Sequence, residues 1–131
     1  MSKTLLETVT GVMFDVIDPK PEMVELDDIA WSLSRQARFN GHTIPLIPYS
    51  VAQHSVNVAK RVAQKSSYKP LIQAALMHDA AESYISDIPS PIKHIPQVRE
   101  TIKAAEDKIL RAVYERFEIP WPSIEQWAVI D

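Results

Sequence analysis

Apolar positions along this chain fall mainly at helical spacing. Ile29, Leu33 and Ala37 recur every fourth residue. They predict a helix that Asp27 or Asp28 can cap and that runs to about Phe39. Gly41, in the following NGH (40–42), suits a helix C-cap position. TIPLIPYS (43–50) is a proline-marked connector. Ser50 and Gln53 then make an S-x-x-Q capping box. It opens a helix to about Lys65 with the stripe Ala52, Val56, Ala59 and Ala63. Pro70 fits the first turn of a third helix, predicted to run to about Tyr84. DIPSPIKHIP (87–96) reads as a loop, because its prolines remove donors and push their predecessors out of helix. Val98, Ile102, Ala105, Ile109, Val113 and Phe117 mark one face of a long fourth helix. Ser123 and Gln126 form a second S-x-x-Q box, starting a helix that reaches Asp131.

One region alternates instead. Between Thr8 and Leu26, Val12, Phe14 and Val16 alternate with Met13, Asp15 and Ile17, after Gly11. With DPKP (18–21) as a turn, this predicts a short hairpin in which Met23–Leu26 pairs back. The expected fold is mostly α, a helical bundle with a short N-terminal β-hairpin. With 131 residues, the chain has the length of one domain.

Composition narrows the chemistry. A formal charge of -3 and a pI of about 5.8 argue against a broad basic surface for polymeric nucleic acid. The chain has no cysteine, so disulfides and thiolate metal sites are excluded, and any metal must use His, Asp or Glu. No apolar run approaches the roughly 20 residues that span a bilayer, and MSKTLLETVT lacks an apolar signal core. The expectation is a cytoplasmic protein without a membrane partner.

The candidate chemistry sits in LMHDAAESYISDIPSPIK (76–93). On a continuous helix His78 and Glu82, four apart, would share one face, with Asp79 bordering it. His54 on the second helix and Asp131 on the last could join them, as bundles commonly build metal sites from facing helices. Each group alone has a plainer reading: a hydrogen-bonded histidine, a solvated glutamate, a frayed terminal carboxylate. Together, among the small apolar neighbours of AALMHDAAE, a partner or an ion is needed, because a buried unpaired charge costs several kcal/mol. A mixed N/O set suits Mn, Fe, Co or Zn better than calcium.

His54, then His78-Asp79, then Asp131 resembles the H…HD…D signature of the HD-domain metal-dependent phosphohydrolases. The flanking segments DIAWSLSRQARFNGH (28–42), YSVAQHSVNVA (49–59) and LMHDAAESYISDIPSPIK (76–93) resemble the small bacterial and phage branch. That branch includes 5'-deoxynucleotidases and phage deoxynucleotide triphosphohydrolases, among them the dATP triphosphohydrolase. The resemblance spans about Asp28 to Asp131 and implies an HD-domain helical bundle over residues 1–131. It implies one divalent transition metal (Mn, Co, Zn or Fe) held by His54, His78, Asp79 and Asp131, with room for a second Mg or Mn arriving with substrate. By motif position, Glu82 matches the glutamate that handles the attacking water, and Asp87 a second acid near sugar and water. Arg38 and Lys93 match phosphate contacts, and His42 is placed as a pocket-lining residue.

The function so implied is cleavage of the 5' phosphate ester of a small deoxynucleotide. Lys93, in S-P-x-K, matches a lysine of triphosphate-cleaving relatives, whereas Ala128 replaces a basic residue found in several of them. Mono- and triphosphate substrates therefore both stay open. Relatives continue in a helix past the last ligand, so a C-terminally shortened chain is expected. They are often dimers or larger, so a homo-oligomer is expected, with Trp121 and Trp127 as core or self-association candidates. The rival classes are a non-catalytic metal- and nucleotide-binding HD module and a purely structural bundle.

Overall fold

The computed structural model describes residues 3–131. Among these, the chain is mostly helical, with one two-stranded antiparallel hairpin. The elements in order are β1 (Leu5–Glu7), β2 (Met13–Asp15), α1 (Leu26–Ser34), α2 (Val51–Lys65), α3 (Lys69–Leu76), α4 (Glu82–Ile85), α5 (Ser90–Lys93), α6 (Pro96–Arg116) and α7 (Ile124–Ile130). No helix among the described residues is long and apolar enough to cross a membrane.

The hairpin differs from the expected pairing. β2 pairs with Leu5–Glu7, Leu6 opposite Phe14, and not with Met23–Leu26. Gly11 explains the choice. It takes φ 90°, which closes a tight turn between Thr8 and Val12. Pro21–Met23 instead forms a single 3-10 turn. The hairpin is tied to α1 through Asp28, whose carboxylate accepts from the Thr10 N–H at 3.0 Å and the Thr10 hydroxyl at 2.9 Å. Asp28 is therefore no helix cap; Glu25 occupies that position without a side-chain bond. Helix α1 also stops at Ser34, short of Phe39.

The second helix starts where predicted, with the Ser50 hydroxyl accepting from the Gln53 N–H at 3.0 Å, although the Gln53 side chain does not return the bond that would complete the box. Its buried face is shifted from the predicted stripe. Val51, Ser55, Val58, Ala59 and Val62 point inward, while Val56 and Ala63 are exposed. The three inward valines bury more apolar area than an alanine stripe would, at about 25 cal/mol per Å². On α6, Ile109 and Val113 are wholly buried and Val98, Ile102, Ala105 and Phe117 partly so, as the spacing requires. The expected loop at 87–96 contains the one-turn helix α5. Pro91 opens it at a position where its missing N–H leaves no intrahelical bond unmade.

The core gathers Phe14, Val24, Val51, Ile109, Val113 and Tyr114. The Tyr114 hydroxyl donates to the Ala74 carbonyl at 2.6 Å, fixing α3 against α6. Trp121 and Trp127 are partly buried and pack with Tyr114. Phe14 stacks on Tyr84 with ring centroids 3.6 Å apart, so the hairpin braces α4.

Candidate metal centre and substrate cavity

The predicted third helix does not run through to Tyr84. It ends at Leu76, and residues 77–81 form tightened turns before α4 begins at Glu82. Ala80 N–H bonds the Met77 carbonyl and Glu82 N–H the Asp79 carbonyl, each three residues back. Such turns advance each residue by about 120° rather than 100°. His78 and Asp79 therefore sit on a turn between two helices, not on one face of a continuous helix with Glu82.

Three donor atoms converge at that turn. Asp79 Oδ2 lies 3.0 Å from His78 Nε2 and 3.3 Å from His54 Nε2. All three ligand atoms fall within 4.8 Å of one another. His78 Nδ1 lies 2.7 Å from the Ala75 carbonyl and must donate to it. Its Nε2 therefore faces a carboxylate oxygen and needs a proton or a cation between them. Burial and the Arg38 charge hold His54 below its ordinary pKa, which keeps its imidazole neutral. Burial pushes Asp79 up, but hydrogen bonding and charge from His78, with His54 and Arg38, outweigh it and leave the carboxyl below its usual range. Burial likewise depresses His78, and the Asp79 bond and charge overcome it, so this pKa lies above normal. Two imidazole nitrogens and one ionised carboxylate are a donor set that fits a divalent transition metal.

Asp131 does not join these three atoms. It lines a separate cavity of about 290 Å³ together with His54 and His78, and its charge helps raise the His78 pKa. The other nominated residues share a larger cavity of about 710 Å³: Arg38, His42, Asp79, Glu82, Asp87 and Lys93 all line it. The Arg38 guanidinium is 3.9 Å from Asp79 Oδ2. Arg38 is set there by a bond from its N–H to the Tyr49 carbonyl at 2.7 Å. The next three residues, Phe39, Asn40 and Gly41, all take positive φ, 57°, 52° and 81°.

Glu82 has the most unusual environment. It is 7% exposed, and its Oε2 has no hydrogen-bond partner. Burial, then repulsion from Asp79 and Asp87, pushes its pKa up to about 9. Lys93 pairs with Glu106 at 2.9 Å, a partner on α6 that no motif pointed to. Sequence reasoning also missed Gln36, whose side chain bonds the Glu82 carbonyl and the Asp87 N–H. Within the polar run SRQAR (34–38), in a helix expected to reach Phe39, it reads as one more surface residue, and its partners lie some fifty residues on.

The chain is 34% identical over 125 residues to an uncharacterized protein of Rhodobacter capsulatus, covering 92% of this chain and 61% of that protein. It is 35% identical over 117 residues to the uncharacterized protein YfdR of Escherichia coli, covering 89% and 60% respectively. The chain thus spans about three-fifths of the length of these curated relatives. A family model described as 5'-deoxynucleotidase YfbR-like matches residues 34–121, which include Arg38, His54, the His78-Asp79 turn, Glu82, Asp87 and Lys93. On that match the chain belongs to the YfbR-like family of the HD superfamily.

Proposed function

We propose that this protein is a metal-dependent phosphohydrolase that cleaves the 5' phosphate ester of a small deoxynucleotide. The observation that carries the reading is Glu82. A buried carboxyl with a free oxygen lines the same cavity as Asp79, Arg38 and Lys93. A structural glutamate in that position would be expected to have a partner, whereas a group that handles a water keeps an oxygen free for it.

His54, His78 and Asp79 would hold the ion, and Asp131 is the candidate fourth ligand. A bound divalent ion would neutralise phosphoryl oxygens, acidify a water and offset the Asp79 charge that helps keep Glu82 protonated. Glu82 Oε2 then takes the proton of the attacking water. Arg38, planar and forked, holds non-bridging phosphate oxygens in two-point fashion, and Lys93 holds a further one. Asp87 orients the water and the sugar edge. His42 borders the same cavity and bounds the space left for the nucleoside. Basic side chains and the ion draw in an anionic substrate despite the net charge of -3.

The test is turnover of each deoxynucleoside mono- and triphosphate with added Mn or Co, with Glu82→Ala as control. Phosphate released from a monophosphate identifies a nucleotidase, and triphosphate released from a triphosphate identifies a triphosphohydrolase. The position of Asp131, apart from the three converging donors, favours one second reading: a binding module without turnover. Bound metal with no product from any nucleotide would establish that reading instead.

A further inference from the structure

Gln36 lies just past α1 and has no role in the chemistry above, yet both ends of its amide are used. Its Nε2 donates to the Glu82 carbonyl at 2.9 Å and to the Ser32 hydroxyl at 2.9 Å. Its Oε1 accepts from the Asp87 N–H at 2.9 Å. Ser32 in turn donates to the Ser83 carbonyl at 3.0 Å. One side chain thus grips the backbone at two of the three acidic residues that line the substrate cavity, Glu82 and Asp87. Between them Ser86 takes φ 78° and ψ 160°, a region that glycine almost alone adopts freely. Such a conformation persists only where its surroundings over-determine it, and the Gln36 bonds lie at either end of it.

We propose that Gln36 is a positioning residue that sets the separation of the Glu82 and Asp87 carboxylates by clamping both ends of the strained 82–87 segment. The inference rests on the phosphohydrolase reading for its catalytic consequence. Gln36 touches neither carboxylate, so it acts through the backbone that carries them. Losing a support of this kind can cost about 10²-fold in activity, because a displacement of about 1 Å in the reacting groups removes much of the benefit of orientation.

The experiment compares wild type with Gln36→Met, which keeps the length and removes every donor and acceptor, and with the milder Ser32→Ala. Three quantities are read in the Mn-loaded protein: kcat and KM for the best deoxynucleotide, bound metal, and exchange of the Asp87 amide by NMR. Gln36→Met should lower kcat about 10²-fold, move KM less than about threefold and leave bound metal unchanged. The Asp87 amide should exchange at least about tenfold faster once its acceptor is gone. Ser32→Ala should act in the same direction, less strongly. In a Ser86→Gly background the thermal destabilisation by Gln36→Met should shrink, because less strain remains to be held. Wild-type kcat in Gln36→Met with only a lower melting temperature would overturn the proposal, as would a raised KM with unchanged kcat. If wild type itself turns over no nucleotide, the phosphohydrolase reading fails on its own. The clamp is then decided by amide exchange, and unchanged Asp87 exchange in Gln36→Met overturns it.

Discussion

Glu82 is the residue on which pH acts most directly. Its pKa is about 9 in the folded, metal-free chain, against 4.5 for an ordinary glutamate. Below about pH 4.5 both folded and unfolded chains hold the proton. As pH rises from there towards 9, the unfolded chain releases it while the folded chain keeps it, so stability falls across that window. Metal-free protein should therefore melt at steadily lower temperature between pH 5 and 9 in this respect, and Glu82→Gln should flatten that slope in a calorimetric series. The same substitution should cut turnover about 10²–10⁴-fold while bound Mn, read by elemental analysis, stays at the wild-type level. Retained turnover in Glu82→Gln would remove Glu82 from the chemistry. The four ionisable residues of 78–87 were legible in the sequence as a group because polar residues interrupt an apolar run. The support beneath them was not, since Gln36 reaches that segment from far along the chain, as Glu106 reaches the neighbouring Lys93.

At the scale of the element, signals local in sequence are legible and those set by tertiary contacts are not. The Ser123–Gln126 box forms fully, with bonds of 3.2 Å and 2.9 Å in the two directions, because every atom it needs lies within four residues. The turn at residues 77–81 gave no warning, because Met, His, Asp and Ala are all acceptable inside a helix. Two carbonyls that a continuing helix would use are taken by side chains instead: Tyr114, from α6, donates to that of Ala74, and His78 to that of Ala75. Removing the last cap by Ser123→Ala should cost about 1 kcal/mol and loosen α7, which leads into Asp131. If Asp131 is a ligand, Mn affinity measured by titration calorimetry should fall as well; a stability loss with unchanged affinity would count against that assignment. Tyr114→Phe should lower stability by about 1 kcal/mol or more, since it orphans a buried carbonyl at the end of α3, and urea denaturation would measure it.

For the whole molecule, the predicted bundle and the hairpin are both present, while the hairpin's pairing differs from the expected one because β1, three residues long, is too short to show alternation. The three converging donors come from α2 and from the turn joining α3 to α4. An ion bound there would stabilise the folded state in proportion to its occupancy. Chelation should thus lower the melting temperature of Mn-loaded protein, and His78→Ala should abolish the difference between chelated and loaded samples. The hairpin has a further consequence. The family match begins at residue 34, but Phe14, Val24, Ile29 and Leu33 lie before it, all within the core. Phe14 covers Tyr84 in the middle of the segment that carries Asp79, Glu82 and Asp87. The ancestry visible in the sequence and the smallest piece able to stand alone therefore have different borders. A fragment trimmed to residue 34 onward would keep every nominated ligand and acid, yet expose the underside of α4. Such a fragment should be recovered mainly as aggregate, and any soluble portion should show weakened near-ultraviolet dichroism.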